Sequence, residues 1–180
     1  VSVYRRTNIV KSEKFSEIMQ RSINAYLNGM LTNEEVIEEM LRLAKQIAAA
    51  HQEGDKLGLT ADELAFYDAL TKPQAIKDFY ENEELIAITK ELADTLRKNK
   101  TIDWQKRESA RAKMRMLIKK LLKKHKYPPE GMDDAVQTVM KQCELWTDNY
   151  NFEEDYNVYS YMNYTDTSLP LVAEEEEKYN

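Results

Sequence analysis

Residues 101–129 read TIDWQKRESARAKMRMLIKKLLKKHKYPP, and the reading of this stretch decides the class of fold. It holds about 22 consecutive residues free of glycine and proline, enough for roughly 33 Å of helix at ~1.5 Å per residue. At its start the Asp103 side chain is placed to cap free backbone N–H groups ahead of Trp104. At its end Pro128 and Pro129 cannot donate to a helical ladder, and they push Tyr127 into extended backbone. Ala110, Met114, Leu117, Ile118, Leu121 and Leu122 recur at helical spacing and form one apolar stripe. From Lys106 to Lys126 ten residues are Lys or Arg and one, Glu108, is acidic, within a chain of net charge −6. The expected helix is amphipathic and strongly basic, and the remaining elements are expected to be organised around it.

At 100° per residue the positive charges divide into two groups. Lys113, Lys119, Lys120, Lys123 and Lys124 point away from the centre of the stripe, whereas Arg107 and Arg111 fall within its span. Two readings of the arginines stand side by side: their stems cover the core while their heads reach water, or they enter a structural ion pair. The stretch ADELAFYDAL, residues 61–70, sharpens the second. There Asp68 falls on the inward side between Leu64 and Thr71, and an acid on a packing face needs a partner. Asp68 is therefore expected to pair with Arg107 or Arg111, holding the short helix against the long one.

Working outward, the other helices are marked by their caps. Ser12 is placed to start a helix carrying Phe15, Ile18, Met19, Ile23, Tyr26 and Leu27 and ended by Gly29. Thr32 with Glu35 and Thr60 with Glu63 read as capping boxes. The first opens a helix expected to bury Val36, Ile37, Met40, Leu41, Ala44, Ile47 and Ala48; the second opens ADELAFYDAL, which Pro73 breaks. Asn82 caps a helix with Leu85, Ile88, Leu92 and Leu96 on its stripe. Asp133 or Asp134 starts a last one with Val136, Val139, Met140, Cys143 and Trp146 on one face. The expected fold is all-α: a helical domain of about six helices over residues 1–149. Residues 150–180 form an irregular acidic tail rich in tyrosine, either mobile or lying across the basic helix.

Composition bounds the function. The chain of 180 residues has four Gly and four Pro, a usage suited to helices. It carries no apolar run long enough for a membrane span and no signal-peptide pattern. The one cysteine, Cys143, excludes an internal disulfide framework and suits the cytoplasm. The chain opens at Val1 rather than an initiator Met, so it is expected to be a fragment or a processed product. No glycine-rich phosphate loop is present, and His51 and His125 are not spaced with Cys143 or carboxylates as metal ligands are. No catalytic, cofactor-binding or metal-binding residue is assigned. The lysine face is the one feature with a candidate ligand. It suits DNA phosphates in a salt-dependent way, without side chains placed to read bases, or it docks a protein.

Three separated segments carry a resemblance. KSEKFSEIMQRSINAYLNG, LGLTADELAFYDAL and DWQKRESARAKMRMLIKKLLKKHKYPP, in that order between Lys11 and about Leu145, resemble the C-terminal helical region of the R (restriction) subunit of type I restriction enzymes. The resemblance implies a piece of a multi-domain subunit of a site-specific deoxyribonuclease. Its nuclease and ATP-driven DNA translocation domains lie upstream, and ATP and Mg are expected there rather than here. It further implies that this end docks the subunit onto the methyltransferase formed by the modification and specificity subunits. None of the family's nuclease or motor motifs matches a position here, so no catalytic residue is carried over. A DNA-backbone-contacting helical module is the competing reading. The purified chain is accordingly expected neither to cut plasmid DNA nor to hydrolyse ATP; cleavage dependent on ATP and Mg in a gel assay would overturn this.

Overall fold

A computed structural model describes residues 7–101 and 103–164, with side chains as far as Asp148 apart from positions 74 and 75. Helix α1 spans Ile9–Leu27. It begins before the expected Ser12 because Asn8 caps it, its Oδ1 accepting the Lys11 N–H at 3.1 Å. Helix α2 spans Asn33–His51 behind the Thr32/Glu35 capping box, with bonds of 3.2 and 2.7 Å. The short α3, Glu53–Leu57, ends at Gly58, whose φ of 64° costs a glycine no steric strain. Helix α4 spans Ala61–Thr71 behind the Thr60/Glu63 box, at 3.2 and 2.9 Å. The short α5, Gln74–Phe79, follows Pro73. Helix α6 covers Asn82–Asn99, with Glu81 rather than Asn82 at its cap. A 3-10 helix at Trp104–Lys106 precedes α7, Glu108–Lys124, and α8 runs Pro129–Tyr164 with proline at its first position. Among the described residues, six long helices and two short ones form the expected all-α fold. The last helix continues past Tyr150, where irregular chain is expected, to Tyr164; positions 165–180 lie outside the described residues.

The basic helix starts later than its sequence suggests. Asp103 adopts a left-handed φ of 56° and makes no capping bond. The chain first turns Trp104 into the core, where its indole is fully buried and donates to Thr147 Oγ1 at 3.0 Å. Only after the 3-10 turn that this burial requires does α7 begin.

The organising element is α4 and not α7. Every residue from Leu64 to Thr71 is buried, as expected of a helix enclosed on all sides. It packs against α6, α8 and α1. Helix α7 joins the same core through one stripe, Met114, Ile118, Leu121 and Leu122, and leaves its basic face outside. Trp146 of α8 meets Phe66 of α4 edge-on, with centroids 5.7 Å apart, and donates to Asp62 at 3.0 Å. The Tyr127 hydroxyl donates to the Leu70 carbonyl at 2.7 Å, and burial pushes its pKa up to about 12. Cys143 is buried in this core, and burial likewise raises its thiol to about 12. A second, smaller core lies between α1 and α2, with Phe15 and Leu43 at its centre. Among the described residues no helix is long and apolar enough to cross a membrane.

The ion pair at Asp68 forms with a different partner from the one expected. Asp68 faces inward and is buried, but its carboxylate meets Lys11 Nζ at 3.0 Å and the Asn8 amide at 2.6 Å. Lys11 also reaches Glu53 at 2.6 Å. The reason is geometric: α1 crosses α4 at this point, whereas Arg111 turns to Glu144 on α8 and Arg107 lies exposed ahead of α7. Burial works against the Lys11 ammonium, yet the Asp68 and Glu53 carboxylates outweigh it and hold its pKa above the usual lysine value. Burial raises the Asp68 carboxyl in spite of Lys11 and Asn8. Removing Lys11 strands the buried Asp68 carboxylate, which costs about 3–5 kcal/mol, whereas removing Asp68 leaves Lys11 paired with Glu53. Lys11→Met is expected to destabilise on that scale in urea denaturation, and Asp68→Ala by less. With both changes combined, the loss is expected to be smaller than the two single losses summed.

Candidate docking surface

The outer face of α7 carries the lysines singled out by the sequence, and the structure divides them. Lys119, Lys120 and Lys123 line an open groove of about 780 Å³ between α7 and α8, together with Arg115 and Met116. Asp133, Val136 and Gln137 form its α8 side. Lys113 is exposed two turns before Lys120 on the same helix face. Lys124 leaves the group: its ammonium meets Glu91 of α6 at 2.6 Å, and His125 Nε2 contacts the other oxygen of Glu91 at 2.7 Å. Lys119 pairs with Asp133 at 3.1 Å.

The groove exists because the interhelical packing is asymmetric. Ile118 and Leu122 are drawn fully into the core, while Met116, a third of a turn or more away, is left 64% exposed. Met116 therefore stands as an apolar centre ringed by long cations whose methylene stems extend it. Sequence reading missed Met116, because it falls outside the apolar stripe, and it missed Arg115, Asp133 and Glu91. Met116 was visible as a methionine three residues after Lys113 and four before Lys120; the acids come from other helices.

Arg111 and Arg107 do not belong to this surface. Arg111 is half-buried, ion-paired to Glu144 of α8, and donates to the Gln105 carbonyl at 3.4 Å. It ties the start of α7 to α8. Among the described residues no group of three or more His, Cys, Asp or Glu side chains is arranged to hold a metal ion.

Residues 1–149 match the family described as "Type I restriction enzyme HindI endonuclease subunit-like, C-terminal". The chain belongs to that family. It is 40% identical over 144 residues to the type I restriction enzyme HindI endonuclease subunit of Haemophilus influenzae, covering 80% of this chain and 14% of that protein. It is 36% identical over 135 residues to a putative type I restriction enzyme MjaIXP endonuclease subunit of Methanocaldococcus jannaschii, covering 74% of this chain and 12% of that protein. The chain thus spans about one seventh or less of the length of the curated relatives it matches. No solved structure matches it. In this member of the HindI-like C-terminal family, the match spans both the α1–α2 hairpin and the α4-centred body.

The Glu91 junction sets a pH dependence. Hydrogen bonds from Lys124 and then His125 hold the Glu91 carboxyl below its ordinary value. A lowered carboxylate contributes stability above its unfolded pKa and loses it as pH falls through the folded value. Glu91 is 39% exposed, so solvent screening limits the contribution to about 0–1 kcal/mol. Glu91→Gln is expected to lower the thermal midpoint slightly at neutral pH and not at all once the pH has fallen through the lowered carboxyl value. Midpoints recorded against pH by circular dichroism check this.

Proposed function

We propose that this chain is the assembly module at the C-terminal end of a type I restriction endonuclease subunit. It docks the subunit onto the modification methyltransferase built from modification and specificity subunits. ATP-driven translocation and Mg-dependent cleavage of DNA belong to other parts of the whole enzyme. The observation that carries the reading is Met116, exposed at the centre of the lysine groove. An apolar centre with a charged rim is the anatomy of a protein–protein contact, and the rim calls for an acidic partner surface. A track for DNA phosphates gains from uninterrupted positive charge. Here Asp133 sits in the groove, and Lys119 is already paired to it.

A second reading has one observation in its favour. Lys113, Lys120 and Lys123 lie exposed along one side of α7, spaced to reach successive phosphates. Sequence-independent contact with the DNA backbone is then the function of the face.

The two readings separate on one set of proteins. Charge reversal of Lys119, Lys120 and Lys123 to Glu, and separately Met116→Glu, are expected to abolish co-purification with the methyltransferase core while leaving helicity unchanged. A gel shift with duplex DNA at low and high salt tests the alternative. If the triple variant loses DNA affinity at low salt, flattens the salt slope by roughly one unit per lost contact and still binds the core, the docking reading is wrong.

A further inference from the structure

The sequence of α2 contains more apolar surface than the fold uses. Of the positions that its pattern marks for burial, Val36, Met40 and Ile47 are half-buried, the last two against the core shared with α1. The residue that is buried is Leu43, which the pattern does not mark. Ile37, Leu41, Ala44 and Ala48 are exposed, the first two at 58% each. These four are spaced four, three and four residues apart, the repeat of a coiled-coil seam. They span about 16 Å of helix at ~1.5 Å per residue.

The same flank continues onto α1. In a pair of antiparallel helices, residues displaced in the same rotational sense from the contact line project to the same side of the pair. Phe15 and Leu43 mark the two contact lines. At 100° per residue Ile23 lies roughly 80° beyond Phe15, and Ala44 and Ile37 lie roughly 100–120° beyond Leu43. Leu27 and Met30, each 73% exposed, extend this surface to the tip of the hairpin. Isolated exposed aliphatics are ordinary, but a continuous apolar patch marks an interaction site.

The order of residues along the seam says what fits it. The half nearest the hairpin tip carries large side chains, Ile37 and Leu41, and the other half carries small ones, Ala44 and Ala48. Reversing the direction of the helix places large against small at every position. Ile37 meets Ala48 of a second copy, Leu41 meets Ala44 of that copy, and the two remaining contacts follow by symmetry. The charges beside the seam obey the same rule, because Glu38 and Lys45 are both exposed at its outer edge, seven residues apart. In the reversed register Glu38 of each copy lies on the same side of the seam as Lys45 of the other, whereas a parallel register puts the two on opposite sides. We infer that the outer flank of the α1–α2 hairpin is a two-fold interface on which α2 packs antiparallel against α2 of a second copy of this chain. A two-fold contact must be self-complementary, and this seam is so in both size and charge. Its few contact positions place it among small interfaces that associate reversibly rather than permanently.

Sedimentation equilibrium on the purified chain tests the inference without reference to the methyltransferase, so its outcome is independent of the docking function. A monomer–dimer equilibrium is expected that shifts with concentration over the micromolar to millimolar range. Leu41→Glu places a charge in the seam, and Ala44→Arg fills the space that Leu41 of the other copy occupies. Each is expected to weaken dimerisation by about tenfold or more. Both positions are exposed, and unchanged circular dichroism confirms that the hairpin stays folded; Arg at 44 also keeps high helix propensity. Glu38→Lys alone is expected to weaken the dimer several-fold. Glu38→Lys with Lys45→Glu is expected to restore it, which a merely structural role for either residue does not predict. A chain that stays monomeric throughout, or a dimer indifferent to Leu41→Glu and Ala44→Arg, overturns the interface. A dimer weakened by the seam variants but not rescued by the charge swap overturns the antiparallel register.

Discussion

The contact on which the arrangement depends is the carboxylate of Asp68 inside the most enclosed helix of the fold. A helix buried on all faces can be held by apolar contacts alone, but such contacts are non-directional and do not choose a register. Asp68 does. Its oxygen accepts from the Asn8 amide and meets Lys11, and Asn8 is also the residue that caps α1. One carboxylate therefore fixes where α1 begins, how it crosses α4 and, through Lys11 and Glu53, where α3 lies. Gln142 completes the junction from α8, accepting the Ile9 N–H at 2.9 Å and donating to the Thr7 carbonyl at 3.0 Å. Among the described residues no buried side-chain nitrogen or oxygen lacks a partner. That completeness lets a charge sit in the interior without unfolding it.

From this centre the molecule extends two surfaces outward. Helix α7 lends its apolar stripe to the core and shows its lysines to solvent. The α1–α2 hairpin is joined to the body at its base and closes over a small core of its own, leaving an apolar flank open. Neither surface is needed to hold the fold. Both are carried on helices anchored by buried polar contacts.

Much of this was legible along the chain, for local reasons. The two capping boxes each need only residues three apart, and both form as their sequence dictates. Pro73, Pro128, Gly29 and Gly58 likewise fall between helices because their backbone preferences act within a residue or two, whereas Gly54 and Gly131 lie within the first turns of α3 and α8. Three departures share one cause, the action of distant residues on a local choice. Asp103 is a sound capping residue, but burial of Trp104 against α8 takes precedence and moves the helix start to Glu108. Ser12 has the chemistry of a cap and loses to Asn8, whose amide is also engaged by Asp68. Helix α4 was expected as a short helix held against the basic one, and its enclosure by neighbours on every side is not written in its own spacing.

What the sequence determined by itself was the class of fold, the long helices, the inward direction of Asp68 and the outward direction of Lys113, Lys119, Lys120 and Lys123. Each follows from helical periodicity and from the cost of burying charge, and both act through spacing along one element. Only the tertiary structure decided the partners. It gave Asp68 to Lys11 instead of an arginine, sent Arg111 to Glu144, drew Lys124 away to Glu91 and left Ile37 and Leu41 uncovered. Periodicity states that a face is apolar or charged; it carries no information on which helix crosses it. That depends on how several stripes pack at once, and residues 60 or more positions apart, such as Asn8 and Asp68, meet only when they do.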